Sequence, residues 1–260
     1  MSASLDGVKA KIERAKGYFV DLENLIREWI AIPENQIAAS TVIDHPEGKQ
    51  TFATAALTPI PVIFSLAIGD FVHNLRSALD HLAWQLVIAS PPNSPGRETA
   101  FPIWITNTPK QAANRLKLLG LFRPDIVIAI NSYQPYQRSA SNPASDPLHI
   151  LSELDNIDKH RLLLVVLPDV PFSLIVTTSG VSTKIEPKDL TKKDKDGKII
   201  ASALFPPLKL DPKSHTHVQA EHRILFKDTG LCCDGERVLP TLKGLINEVE
   251  VIVSDFSRFF

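Results

Sequence analysis

Between Ile68 and Gln85 the chain reads IGDFVHNLRSALDHLAWQ. At about 100° of rotation per residue, a helix over this stretch places Asp70, His73, Asn74, Ser77, Asp80, His81, Trp84 and Gln85 on one arc of roughly 140°. Phe71, Val72, Leu75, Ala78, Leu79, Leu82 and Leu86 take the other side. Arg76 stands at the border, one turn before Asp80. Helix faces turned to solvent are usually rich in Lys and Glu, and this stripe has neither. It carries short hydrogen-bonding groups and two imidazoles, a side chain that changes charge near neutrality. Burying such groups costs free energy unless they are paired or used. The composition predicts that the stripe faces a groove between helices or an interface, and that the chemistry of the chain is here.

Arg76 and His81 are separated by four residues. This Arg-x4-His pair resembles the signature of HEPN-type helical ribonucleases, in which an Arg and a His act on an RNA phosphodiester without a metal. The string HNLRSALDHL, followed later by LDNIDKHR, also resembles a group of bacterial proteins with no assigned function. The ribonuclease resemblance covers the central helix and the helical character of the first half. It implies a bacterial endoribonuclease of toxin or defence type, with RNA as partner and no cofactor. His81 would take a proton from a ribose 2′-hydroxyl or give one to the leaving oxygen. Arg76 would hold the scissile phosphate and stabilise charge in the transition state. Asn74 and Asp80 would orient these groups, and His73 would be a second acid or base. In a regular helix Arg76 and His81 diverge by about 140°, so the resemblance implies a symmetric homodimer that supplies the missing half of each site.

A second cluster, Asp155, Asp158, Lys159, His160 and Arg161, ends the helix that leads into the β-rich part. Its basic residues suit the negative end of a helix dipole. Alternatively, Asp158, His160 and Arg161 support the stripe. A metal site is the rival chemistry: Asp70 and His73 are three apart on one helical face, and His81 or His160 with Asp158 could complete an N/O ligand set. That reading makes the chain a metal-dependent hydrolase. In a third reading the stripe is a structural polar network holding helices in register, and the chain is a non-catalytic ligand- or partner-binding protein. His215 and His217 alternate as on a strand, His222 and Arg223 are ambiguous, and Cys232 and Cys233 lack the context of a nucleophile. There is no Gly-rich phosphate loop and no Gly-x-Ser-x-Gly elbow.

These residues must be positioned by the elements around them. Val8, Ile12, Ala15, Phe19, Leu22, Ile26 and Trp29 recur at three- and four-residue steps and predict a first helix over 5–30. Pro33 ends it. The β-branched runs 37–43 and 51–57, with Pro46 and Gly48 between them, predict a small hairpin. Pro59 and Pro61 precede the central helix, expected over 62–89, and Pro91, Pro92 and Pro95 stop it. Shorter helices are expected over 109–119, with Thr108 as N-cap, over 124–131 and over 146–160. Gln134 to Tyr136 lie in a loop that either lines a pocket or forms a turn. From Leu162 the period changes to short β-rich runs between Pro, Gly and charged clusters, which predict an antiparallel sheet. The mixed-sign run 188–198 reads as a solvated hairpin loop. A last helical face over 239–260 returns to the first helix.

The expected fold class is therefore α+β: an N-terminal helical bundle with a small hairpin, then a C-terminal antiparallel β-rich region closed by a final helix. The expected divisions are 1–161, mainly helical; 162–238, β-rich; and 239–260, the closing helix. The chain has 260 residues, 44% hydrophobic and 22% charged, with a net charge of −1. That balance excludes a strongly basic nucleic-acid binder, so any RNA contact rests on a local patch. Two adjacent cysteines provide no disulfide framework and suit a reducing compartment. The start is polar and charged, without a signal-peptide pattern, and no apolar run reaches the roughly 18 to 20 residues that span a bilayer. A cytoplasmic protein without membrane contact is expected.

Overall fold

The computed structural model describes residues 2–38, 49–54, 58–97, 99–108, 117–167, 172–178, 181–185, 191–193, 199–204 and 216–260. The helices are α1 (Asp6–Ala31), α2 (Val62–Ile88), α3 (Pro124–Ser132), α4 (Pro135–Arg138), α5 (Pro147–Asp158) and α6 (Val238–Phe256). The strands are β1 (Ile37–Ala38), β2 (Lys49–Thr54), β3 (Leu164–Val166), β4 (Phe172–Thr178), β5 (Val181–Ile185), β6 (Thr191–Lys193), β7 (Ile199–Leu204), β8 (Thr216–His222) and β9 (Leu225–Lys227). Among the described residues, helix predominates over strand.

The chain divides into two compact units, and neither is a continuous segment. The first comprises residues 1–23, 62–164 and 226–260, and the second 24–61 and 165–225. This corrects the expected α+β layout. The two strands placed with the helical bundle belong to the second unit: β1 pairs with β2, and β2 pairs antiparallel with β7, Gln50 opposite Ala203 and Phe52 opposite Ala201. The final helix belongs to the first unit. There is thus no C-terminal β-rich region as a body of its own. The physical reason is that a two-stranded hairpin is marginal alone. β2 is flanked on both sides only by pairing with β7, far along the chain, a long-range pairing that local periodicity does not reveal.

The first unit is helical and carries the stripe. α2 is its axis. Phe64, Ile68, Phe71, Leu75, Leu79, Leu82 and Leu86 are fully buried, each contributing roughly 1.5–3 kcal/mol of hydrophobic stabilisation relative to exposure. Leu148, Leu151 and Leu154 of α5 and Leu242, Val249, Ile252 and Phe256 of α6 complete the core, with Val8, Ile12 and Ala15 of α1. Phe71 meets Phe19 of α1 at 6.2 Å between ring centroids, and Phe101 meets Phe256 edge-on at 6.0 Å. α2 ends where the Ser90 hydroxyl donates to the Leu86 carbonyl (2.7 Å) while accepting from the Arg123 amide (3.1 Å). Pro91 then forbids continuation. α5 starts at Asp146, whose carboxylate accepts from the Leu148 amide (2.9 Å) with Pro147 in the first turn. Both are favoured helix-start chemistry.

Gln134 resolves the loop left open between pocket and turn. Its side chain is fully buried, donates to the carbonyls of Pro102 and Ile130 (3.0 Å each) and accepts from the Trp104 amide (3.0 Å). It staples the extended segment 101–104, which borders α2. The helix expected over 109–119 is described only at 117–119.

In the second unit the ladders are β1-β2-β7-β6 and β5-β4-β8, with antiparallel pairing between the registered neighbours. Part of the run expected as a solvated loop is strand β6, while 186–190 and 194–198 lie outside the described residues. His222 has a packing role: Nε2 lies 2.7 Å from the Asn35 carbonyl and the ring stands edge-on to Trp29. Burial lowers its pKa, and the Asn35 carbonyl opposes that shift. His215 and the side chain of His217 lie outside the described residues.

Candidate functional site

The stripe of α2 is not a buried face. Asp70, His73, His81 and Trp84 are exposed, Arg76, Ser77, Asp80 and Gln85 are half-buried, and only Asn74 is buried. This corrects the expectation of a stripe enclosed between helices. The apolar residues on the opposite arc already fill the core, so the polar arc is left at its margin. There it divides into three separate sets of contacts.

The first set faces the N-terminal part of α1. Asn74 donates to the Asp70 carbonyl (2.7 Å) and accepts from the Lys11 ammonium (3.3 Å). Gln85 accepts from the Ser4 amide (3.0 Å). The ring of His81 lies against Gly7, where a Cβ would stand 3.5 Å from Nδ1.

The second set faces the stapled segment 101–104. Arg76 Nη2 forms an ion pair with Asp80 Oδ1 and donates a hydrogen bond to the Phe101 carbonyl, both at 2.9 Å. Asp80 Oδ1 in turn accepts from the Phe101 amide (2.9 Å). Arg76 and Asp80, one helical turn apart, thereby satisfy both backbone groups of a buried residue. Arg76 Nη1 is buried without a hydrogen-bond partner among the described residues. The guanidinium is spent on the fold, and its remaining donor is shielded from solvent. His81, the residue after Asp80, makes no recorded hydrogen bond to Arg76 among the described residues.

The third set faces α5. His73 Nδ1 lies 3.2 Å from Asp155 Oδ1. The imidazole side chain is 56% exposed and the carboxylate 3%. A buried carboxylate thus orients an accessible imidazole and leaves Nε2 without a recorded partner among the described residues, an arrangement that fixes tautomer and ring direction. The second oxygen of Asp155 pairs with Lys159, one turn on. Asp158, the next carboxylate on α5, lies directly over Gly69 of α2. A Cβ on Gly69 would stand 2.2 Å from Asp158 Oδ1 and 2.6 Å from its Cγ. Burial raises the Asp158 pKa, and the charges of Asp155 and Asp70 raise it further, while His73 opposes them.

His160 is exposed, with no recorded side-chain contact among the described residues, and Arg161 turns away to donate to the Asp228 carbonyl (2.6 Å). Of the supporting residues expected at this helix end, Asp158 joins the stripe, whereas His160 and Arg161 show no recorded contact with it. The alternative metal set of Asp70, His73, His81 and His160 is not assembled. Among the described residues no group of three or more His, Cys, Asp or Glu side chains is arranged to hold a metal ion. Cys232 is exposed and Cys233 buried; burial raises both thiol pKa values.

Gly69 and Asp155 are the residues whose importance sequence reasoning under-weighted. Glycine in a helix interior costs roughly 0.5–1 kcal/mol relative to alanine. Its presence between Ile68 and Asp70 was a readable sign that something approaches the backbone there. A groove of about 390 Å³ runs between α1 and α6, away from the stripe, and is lined by Leu5, Lys9, Ile12, Glu13, Glu250 and Val253 among others, none of them a stripe residue.

No protein-family model matches the chain, and neither a curated protein nor a solved structure matches it. Among the described residues no helix is long and apolar enough to cross a membrane.

Proposed function

We propose that the protein is a metal-independent endoribonuclease whose proton-handling group is His73, oriented by Asp155. The observation that carries this reading is the exposed imidazole with its Nδ1 on a buried carboxylate. A general base must present one ring nitrogen to the substrate while the other is held, and general acid–base catalysis of this kind is worth about 10²–10⁴ in rate. His73 Nε2 takes the proton of a ribose 2′-hydroxyl, the 2′-oxygen attacks phosphorus and the 5′-oxygen leaves. The products are a 2′,3′-cyclic phosphate and a 5′-hydroxyl. RNA as the substrate comes from the resemblance of the Arg76-x4-His81 pair. The same resemblance carries a homodimer, and the two adjacent cysteines suit a cytoplasmic protein.

The test is cleavage of single-stranded RNA in the presence of a chelator, with the product ends identified. Wild type is expected to leave 2′,3′-cyclic ends, and His73→Ala to lose activity at an unchanged helical circular dichroism spectrum. Activity that survives in His73→Ala but vanishes in His81→Ala returns the role to His81. Wild type without chelator-resistant cleavage ends the ribonuclease reading.

A second reading is favoured by the contacts of Arg76 and Asp80 with the Phe101 backbone. On it the stripe is a structural network and the protein a non-catalytic partner-binding module. Stripe variants then lose folding and not an activity.

A further inference from the structure

The reaction above needs a group that protonates the leaving oxygen, and the packing of α5 on α2 supplies one. Asp158 ends α5, where the unpaired carbonyls give the helix terminus partial negative charge. Its carboxyl group occupies the space that a side chain on Gly69 would fill. None of the described residues donates a recorded hydrogen bond or forms a recorded ion pair with it. The charged groups that act on it are Asp70 and His73 from α2 and Asp155 from its own helix, with Lys159 already engaged by Asp155. A carboxylate with two like charges nearby, no donor and a helix terminus behind it is unfavourable in the ionised state. A helix interior with glycine in place of alanine is also less stable. Two locally unfavourable choices meet at one point, four residues from His73 along α2.

We propose that Asp158, seated over Gly69, is the second proton-transfer group of the α2–α5 site and acts as the acid complementary to His73. The proposal rests on the reading of His73 as general base. As the 2′-oxygen attacks phosphorus, the bond from phosphorus to the 5′-oxygen breaks. That oxygen receives the Asp158 proton, and His73 holds the proton from the 2′-hydroxyl. His73 then releases its proton to water and Asp158 takes one back, so the site returns to its starting state without a co-reactant. Gly69 is a positioning residue: its missing side chain admits the carboxyl group.

Two measurements test this. The first is a carbon-13 NMR titration of the aspartate carboxyl groups in the full chain, with Asp158→Asn used for assignment. The Asp158 midpoint is expected above the ordinary carboxylate range. It should rise in His73→Ala, because the imidazolium charge is lost, and fall in Gly69→Ala, because the new methyl group pushes the carboxyl group towards water. An Asp158 midpoint indifferent to both substitutions overturns the proposal. The second is the pH dependence of RNA cleavage. Asp158→Asn is expected to lose about 10²-fold or more in rate and with it the decline of activity towards alkaline pH, while Gly69→Ala retains the helical spectrum and loses a smaller factor. A cleaving enzyme in which Asp158→Asn matches wild type also overturns the proposal. If wild type leaves RNA intact the ribonuclease reading fails, and the acid role proposed for Asp158 falls with it. The titration then still shows whether His73 and Asp158 share one electrostatic site.

Discussion

The two ends of α5 use the same residue type in opposite ways. At the N-terminus, Asp146 is fully buried and completely answered. Arg138 donates two parallel bonds to it at 2.7 Å, the Ser139 hydroxyl donates at 2.9 Å and the Leu148 amide at 2.9 Å. Arg138 reaches on to Glu248 of α6. The positive end of the helix dipole adds to this. Burial alone would raise the Asp146 pKa, but the bonds from Arg138 and Ser139 outweigh it and hold the carboxyl group below its usual range. At the C-terminus, Asp155 is answered by His73 and Lys159, and Asp158 by no recorded donor. Burial, Asp155 and Asp70 push Asp158 up. The difference separates stability from reactivity. A buried charge whose lone pairs are all engaged locks two helices together. One kept near like charges without a donor retains its capacity to exchange a proton.

The largest effect is expected at the locked end. Asp146→Ala leaves Arg138 partly buried and half-paired and removes a helix cap. It should cost about 3–5 kcal/mol, read as a lower urea midpoint at unchanged slope. A loss below 1 kcal/mol would dissolve the contrast. At the reactive end, Asp155→Asn keeps shape but no longer fixes the His73 tautomer. RNA cleavage should fall by about 10²–10⁴ with a much smaller change in the urea midpoint than Asp146→Ala gives. If the two substitutions destabilise equally, both ends are structural. Arg76→Met tests the network beside them: losing the bonds to Asp80 and the Phe101 carbonyl should cost about 1–3 kcal/mol. RNA cleavage per folded molecule should stay near wild type. A folded but inactive Arg76→Met returns the phosphate-binding role to this residue.

The smallest effect is the most diagnostic in sign. The folded-state pKa of Asp146 is depressed below 3.8, so its contribution is present above that value and is lost as the pH falls through the folded pKa. Asp158 is raised above 3.8. Its contribution is therefore present below 3.8 and lost as the pH rises through the folded pKa. Asp158→Asn should accordingly raise the melting temperature at neutral pH, and Asp146→Asn should lower it and flatten the acid limb. Calorimetric scans from pH 3 to pH 7 give both signs in one experiment.

Much of the helical part was legible because its signals are local. The apolar steps from Val8 to Trp29, the prolines around α2 and the Asp146-Pro147 start of α5 each act within a few residues, and the observed bounds of α1, α2, α3 and α6 lie close to those read from the pattern. The stripe on α2 was legible for the same reason. Its burial was not, because periodicity shows which residues share a face and not what covers that face. The partition into two units was also invisible, since the β2–β7 ladder joins residues far apart in sequence.

The residues of the candidate site follow the same division. The amino-acid order alone determined that His73, Arg76, Asp80 and His81 share one helix, that Arg76 and His81 diverge around it, and that a glycine lies within it at position 69. Only the tertiary structure decided what each of them meets. Arg76 is taken up by Asp80 and the Phe101 carbonyl because Gln134 staples that segment beside α2. His73 is the imidazole with a buried carboxylate behind it because α5 crosses α2 where Gly69 leaves room. Side-chain chemistry belongs to a residue, but the partner that tunes it arrives from another helix, and the close approach that delivers it is a property of packing.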